Sequence, residues 1–111
     1  MIEQIYQKSN VMNTTTLKIV TIVTERILEA RLLRKLEELG AKGYTLTQAT
    51  GKGSRGVRAS EWEGPDTRIE TLVSEQVAQK IVDYISESFF EHYAVIVYVQ
   101  DADVVRGDKY I

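Results

Sequence analysis

The chain has 111 residues, a formal net charge of −2 and no cysteine. That length suits one domain with its own core, small enough for self-association to add stability. The missing thiols exclude disulfide scaffolds and thiolate metal sites and point to a reducing cytoplasm. The acidic balance removes any general attraction to nucleic acid, so anion binding has to be local. No apolar run approaches bilayer length, and no basic-then-apolar leader opens the chain, so neither membrane insertion nor a signal peptide is expected.

Residues 1–14 are polar and aperiodic and read as a flexible arm, with Met12 an alternative start. The run Leu17 to Val23 is β-branched and apolar, with Leu17, Ile19 and Val23 on one side and Val20 and Ile22 on the other. A strand apolar on both sides belongs in the middle of a sheet. Thr24 is then the expected N-cap of a helix, with Glu25 in its first turn. Leu28, Leu32, Leu36 and Leu39 follow at helical spacing, Leu33 widens the stripe, and Gly40 supplies the stop. This leucine stripe is core.

Gly43 to Ala49 alternates apolar and polar residues and leads into Thr50–Arg58. Those nine residues carry three cations, three glycines and no acid. Glycine lets backbone N–H groups turn toward an anion, arginine matches phosphate oxygens two at a time, and lysine adds a point charge. A phosphate-bearing ligand is one reading of this stretch; a solvated loop with solubilising cations is the other. Gly51, Gly53 and Gly56 fit G-x-G-x-x-G, but no helical period follows them, as a dinucleotide fold requires. A phosphate-binding P-loop would need glycine at position 46, which is leucine. The loop's second half, Glu61 to Asp66, is acidic and turn-rich.

Arg68 to Val73 reads as a third strand, with Ile69 and Val73 opposite Glu70 and Leu72. Ser74 is a natural N-cap for a second helix, whose stripe is Val77, Ile81, Ile85 and Phe89, joined by Ala78 and Val82. Tyr93 to Val99 is a nearly unbroken apolar strand, and Asp101 to Ile111 a polar tail. The order strand, helix, strand, strand, helix, strand predicts an α+β, ferredoxin-like βαββαβ fold (the split βαβ). Its four-stranded antiparallel sheet has both helices on one face. The last strand is apolar on both sides, so the open face needs a cover, and a second copy of the chain is the simplest one.

Three segments carry a family resemblance spanning about residues 17–106: Val23-Thr24-Glu25-Arg26-Ile27-Leu28, Gly40-Ala41-Lys42-Gly43-Tyr44-Thr45 and, most specifically, Gly51-Lys52-Gly53-Ser54-Arg55-Gly56-Val57-Arg58. The chain resembles the PII-like regulators, in particular the SbtB-type and carboxysome-associated proteins. The resemblance implies a PII-like homotrimer over residues 15–111, with open sheet faces around the threefold axis and a T-loop at about 52–67. It implies no enzyme but a signalling protein that binds adenine nucleotides in clefts between subunits, with AMP, ADP and cyclic AMP ahead of ATP. Its T-loop would act on a protein target such as a bicarbonate transporter or a carboxysome-linked protein in inorganic carbon supply.

Carried over by position, Gly51, Lys52, Gly53, Ser54, Arg55 and Arg58 would line the phosphate or ribose part of the cleft. Glu91, His92, Tyr93 and Ala94 would come from the neighbouring subunit, with Arg106 a further candidate. Bicarbonate is a candidate co-ligand for the same arginines, and no covalent cofactor or metal is implied. The chain lacks the terminal cysteine pair of some relatives, so that redox control is not expected. Where PII proteins proper carry a lysine-ended glycine loop before the last strand, this chain has Phe89-Phe90-Glu91-His92-Tyr93. Fewer cations there favour mono- and diphosphates over Mg-ATP. Two other readings stay open: a CutA-like trimeric interaction protein without nucleotide sensing, and a weak nucleotide hydrolase using Glu61, Glu63 and Asp66. Trp62 would anchor the T-loop, and His92, at a helix end, would serve its dipole.

Overall fold

The computed structural model describes residues 13–51 and 66–111. Strand β1 (Thr14–Glu25) passes through a single 3-10 turn (Arg26–Leu28) into helix α1 (Glu29–Leu39). Strands β2 (Thr45–Ala49) and β3 (Asp66–Val73) follow, then helix α2 (Glu75–Phe89), strand β4 (Val95–Val105) and a terminal 3-10 turn (Gly107–Tyr110). The sheet order is β2-β3-β1-β4, every neighbour antiparallel, which is the ferredoxin-like arrangement. β1 stands in the middle, as its two apolar sides predict.

The helices form where local signals and packing agree. Leu28, Leu32 and Leu36 are buried along one side of the first helical segment. Gly40 ends α1 at φ 116°, a backbone conformation open to glycine, and its N–H donates to the Glu37 carbonyl at 3.1 Å. Ser74 caps α2, its Oγ accepting from the Val77 N–H at 3.2 Å. Ala78, Ile81, Ile85 and Phe89 turn inward and meet Val20, Ile22, Ile69 and Val73 of the sheet. Fully burying each such aliphatic side chain contributes about 1.5–3 kcal/mol, so these stripes hold the helix layer on the sheet.

Three expectations need correction. Thr24 is not a helix cap: it is 1% exposed inside β1, paired with both Thr67 and Val95, and the strand continues to Glu25. With neighbours on both sides the ladder outcompetes helix entry, which is delayed to Glu29. β4 starts at Val95 and not Tyr93, because Tyr93 turns back, its N–H donating to the Phe89 carbonyl at 2.9 Å. β4 also runs six residues past Val99, through part of the polar tail. There Asp103 accepts from Thr16 at 2.8 Å and Asp101 from Lys18, and Asp101 holds the Lys18 ammonium above its usual pKa.

The open face behaves as the sequence requires. Ile96 and Tyr98 are 58% and 43% exposed in the protomer, and their register partners Val23 and Thr21 lie beside them on β1. This face is covered in part by the terminal turn. Gly107 packs so closely that a Cβ there would lie 2.8 Å from the Thr15 Cβ.

Candidate functional site

The site builds from one end of the sheet. β2 ends at Ala49, paired with Asp66 at the start of β3, and Asp66 pairs in turn with Glu25 at the end of β1. Thr24 beside it pairs with Val95, the first residue of β4. Gly51, just beyond β2, and Glu91–Ala94, just before β4, therefore sit at the same end of the sheet. They are on its two opposite edges. Three inter-strand spacings separate those edges, about 14 Å. One protomer alone does not join them.

At the β2 edge, Gly51 is exposed and the Asp66 carboxylate lies against it: a Cβ on Gly51 would stand 3.8 Å from Oδ2. Thr67, the next residue, is buried and donates its hydroxyl to Glu29 Oε1 at 2.8 Å. This bond ties the start of β3 to the first turn of α1. Asp66 and Thr67, counted above with the T-loop, thus stand in the sheet. Glu25 is 5% exposed at the same end. Sequence reasoning placed it in a helix; its position opposite Asp66 follows from strand register alone. The two carboxylates can accept from ligand hydroxyls or oppose the cations of the adjoining loop. Lys52, Gly53, Ser54, Arg55 and Arg58, with Glu61, Trp62 and Glu63, lie outside the described residues, as do residues 1–12 of the arm.

At the β4 edge, the turn is held from below. The Phe89 carbonyl accepts from both His92 N at 3.1 Å and Tyr93 N at 2.9 Å. The Tyr93 ring meets Phe89 edge-on at 5.8 Å, and Tyr84 meets Phe89 likewise at 5.6 Å. The turn's polar side chains are left in solvent: His92 is 72% exposed, its Nε2 3.4 Å from Glu91 Oε1. Backbone hydrogen bonds fix this turn while Glu91 and His92 point to solvent, which suits a ligand wall. Ala94 is half-buried at its end.

Arg106 stands elsewhere. It follows β4, and ten strand steps of about 3.3 Å put it some 33 Å from the Glu91–Ala94 turn. Its φ of 62° is left-handed, and its carbonyl accepts from Lys109 N at 3.3 Å. Within one protomer it joins neither edge of the site. Among the described residues no helix is long and apolar enough to cross a membrane.

The family model for nitrogen regulatory protein P-II matches residues 17–109. The chain belongs to the P-II family. A PII-like signaling protein from Thermus thermophilus is 54% identical, covering 90% of this chain and 100% of its own, with a TM-score of 0.78. CPII from Thiomonas intermedia, in its structure bound to ADP, AMP and acetate, is 27% identical, with 89% and 98% of the two chains covered and a TM-score of 0.75. CPII bound to ADP and bicarbonate is 26% identical over 91% of this chain and 100% of that one, with a TM-score of 0.77. P-II membership agrees with the resemblance read from the glycine-rich stretch and with the four-stranded open sheet beneath it.

Proposed function

We propose that the chain is a signalling protein that assembles as a homotrimer and binds adenine nucleotides in clefts between subunits. The observation that carries this reading is the placement of Gly51 and Glu91–Ala94 at one sheet end but on opposite edges. Neighbouring copies set edge beside edge bring the cationic loop base of one chain against the aromatic-backed turn of the next. The CPII structures, similar over nearly the whole chain, hold ADP with AMP or with bicarbonate. They support AMP and ADP as ligands here, with cyclic AMP and ATP to be compared and bicarbonate as co-ligand. In this reading Lys52, Ser54, Arg55 and Arg58 neutralise phosphate, Gly51 and Gly53 let the backbone approach it, and His92 and Tyr93 face it from the neighbour. Arg106 reaches a cleft only if a neighbouring chain's copy does so. The loop then engages a protein of inorganic carbon supply, a bicarbonate transporter or a carboxysome-linked protein, and nucleotide state sets its engagement. Catalysis is no part of this function.

Titration calorimetry with AMP, ADP, ATP and cyclic AMP, each with and without bicarbonate, tests it. Micromolar binding that Arg58→Ala weakens by tenfold or more, on the order of one charge-assisted phosphate contact, is the expected result. Absence of any nucleotide binding below millimolar concentration rules the reading out.

A further inference from the structure

On the open face of the sheet, between β2, β3 and the terminal turn, lies a cavity of about 430 Å3 lined by Ile19, Tyr44, Thr45, Glu70, Leu72 and Tyr110. Its walls present two phenol rings and one carboxylate, and among the described residues no lysine or arginine lines it. A carboxylate beside aromatic faces suits a planar cation, and guanidinium most of all. The cavity sits at the end of β2 away from Gly51, so it is separate from the site above.

The same face supplies the matching group. Successive strand residues alternate sides, and the register puts Arg68, Glu70 and Leu72 on the open face beside Val23, Thr21 and Ile19 of β1. Thr45 and Thr47 of β2, and Ile96, Tyr98, Gln100, Ala102 and Val104 of β4, share it. Among the described strand residues of this face, Arg68 is the one cation. In the protomer it reaches its own Glu70 by a single contact, Nη2 to Oε2 at 3.3 Å, with both side chains about a third exposed at 36% and 35%. A solvent-screened pair of this kind contributes little. Beside it Thr21 is fully buried, and its Oγ1 has no hydrogen-bond partner among the described residues.

We propose that this cavity is a socket for Arg68 of a second copy. On assembly the guanidinium leaves its own Glu70 and enters the neighbouring cavity, where it pairs with the partner subunit's Glu70 against its two tyrosine rings. The exchange follows from what burial does to the pair. A covered face desolvates both charges, and a single-contact pair held within one strand compensates poorly for that cost. A guanidinium seated in the socket can instead offer two donors to the carboxylate while its plane rests on phenol. Each copy then carries one plug and one socket, the head-to-tail complementarity that closes into a ring. The apolar part of the face, Val23, Leu72 and Ile96, provides area; Arg68 and Glu70 set which way the copies meet. The inference rests on the trimer reading above and adds the contact that selects it.

Sedimentation velocity on the full chain over a concentration series tests the plug and socket. Arg68→Glu and Glu70→Arg should each dissociate the assembly, and an equimolar mixture of the two variants should associate more tightly than either alone, because two of the three seams in a mixed ring then pair unlike charges. Circular dichroism verifies folding. Should either reversal not fold, Arg68→Gln and Glu70→Gln replace them, each expected to raise the assembly dissociation constant by tenfold or more, on the order of one buried charge pair lost. Reversed variants that keep wild-type size and concentration dependence overturn the socket and leave the trimer standing. Dissociated variants that gain no association on mixing confine the pair to one chain and also overturn it. A monomeric wild type overturns the trimer itself, and the socket with it.

Discussion

Phe89 links the core to the candidate site, and Phe89→Ala should loosen both. The ring is fully buried against the helix layer and makes edge-on contacts with Tyr84 and Tyr93, while the exposed Arg31 guanidinium lies 4.8 Å from its centroid. Truncating a buried phenylalanine costs about 3–5 kcal/mol. The ring contacts, at about 0.5–1.5 kcal/mol per aromatic pair, place this position in the upper half of that range, near 4 kcal/mol. Against a total stability of roughly 5–15 kcal/mol, the variant should fold marginally. Urea unfolding followed by circular dichroism, at one fixed protomer concentration because assembly adds to apparent stability, measures the loss. Pairing Phe89→Ala with Arg31→Ala in a double-mutant cycle isolates the cation–π contact, expected at about 0.5–1 kcal/mol. A loss below about 2 kcal/mol would show that the core repacks around the void and would refute the packing account. Equal cost of Arg31→Ala in both backgrounds would remove the cation–π part.

Ser74→Ala removes the bond to Val77 N and should cost about 1 kcal/mol in the same assay, with Ser74→Thr retaining most of it. Gly40→Ala places a Cβ 3.1 Å from Val77 Cγ2 at φ 116° and should cost about 1–2 kcal/mol through the left-handed conformation alone. Thr24→Val should stabilise the fold by about 1 kcal/mol, because the hydroxyl it replaces is buried without a partner among the described residues and the shape is kept; thermal melts rank it against the wild type. Lys18, whose pKa is raised above 10.5 chiefly by its hydrogen bond to Asp101, gains stability when protonated. A raised folded pKa means that gain is complete below 10.5 and disappears as pH climbs through the higher folded value. The difference in urea midpoint between the wild type and Lys18→Met should therefore narrow at alkaline pH, and a pH-independent difference would show that the pair does not titrate.

Much of the fold is legible residue by residue. The stripes Leu28–Leu32–Leu36 and Ile81–Ile85–Phe89 name both helices and their inner faces because helical period is a local property of the chain. The central place of β1 follows from Leu17, Ile19, Val20 and Ile22 being apolar on both sides, and the Ser74 and Gly40 ends follow from cap chemistry. The glycine-rich run of cations at Gly51–Arg58 carries the resemblance to the family that the chain belongs to, and in the proposed function it supplies one half of the site. The far half of β4 is harder to see, since Asp101 and Asp103 look like tail. Only the alternation of Gln100, Ala102 and Val104 with Asp101, Asp103 and Val105 hints at a strand there.

What lay beyond sequence reading depends on partners distant along the chain. Lys18 and Asp101 are 83 residues apart and Thr16 and Asp103 are 87 apart, so the pairing that extends β4 exists only once the sheet has formed. Thr24 has the chemistry of a cap and the neighbours of a strand, and two flanking strands outweigh one side-chain bond. Sheet order alone sets Gly51 and the Glu91–Ala94 turn at one end on opposite edges, and strand register together with the folding back of the terminal turn gathers Ile19, Glu70 and Leu72 with Tyr110 around a cavity. Periodicity and caps are short-range and can be read from neighbours; which edge faces which, and where a cavity opens, is long-range and is decided by the folded sheet.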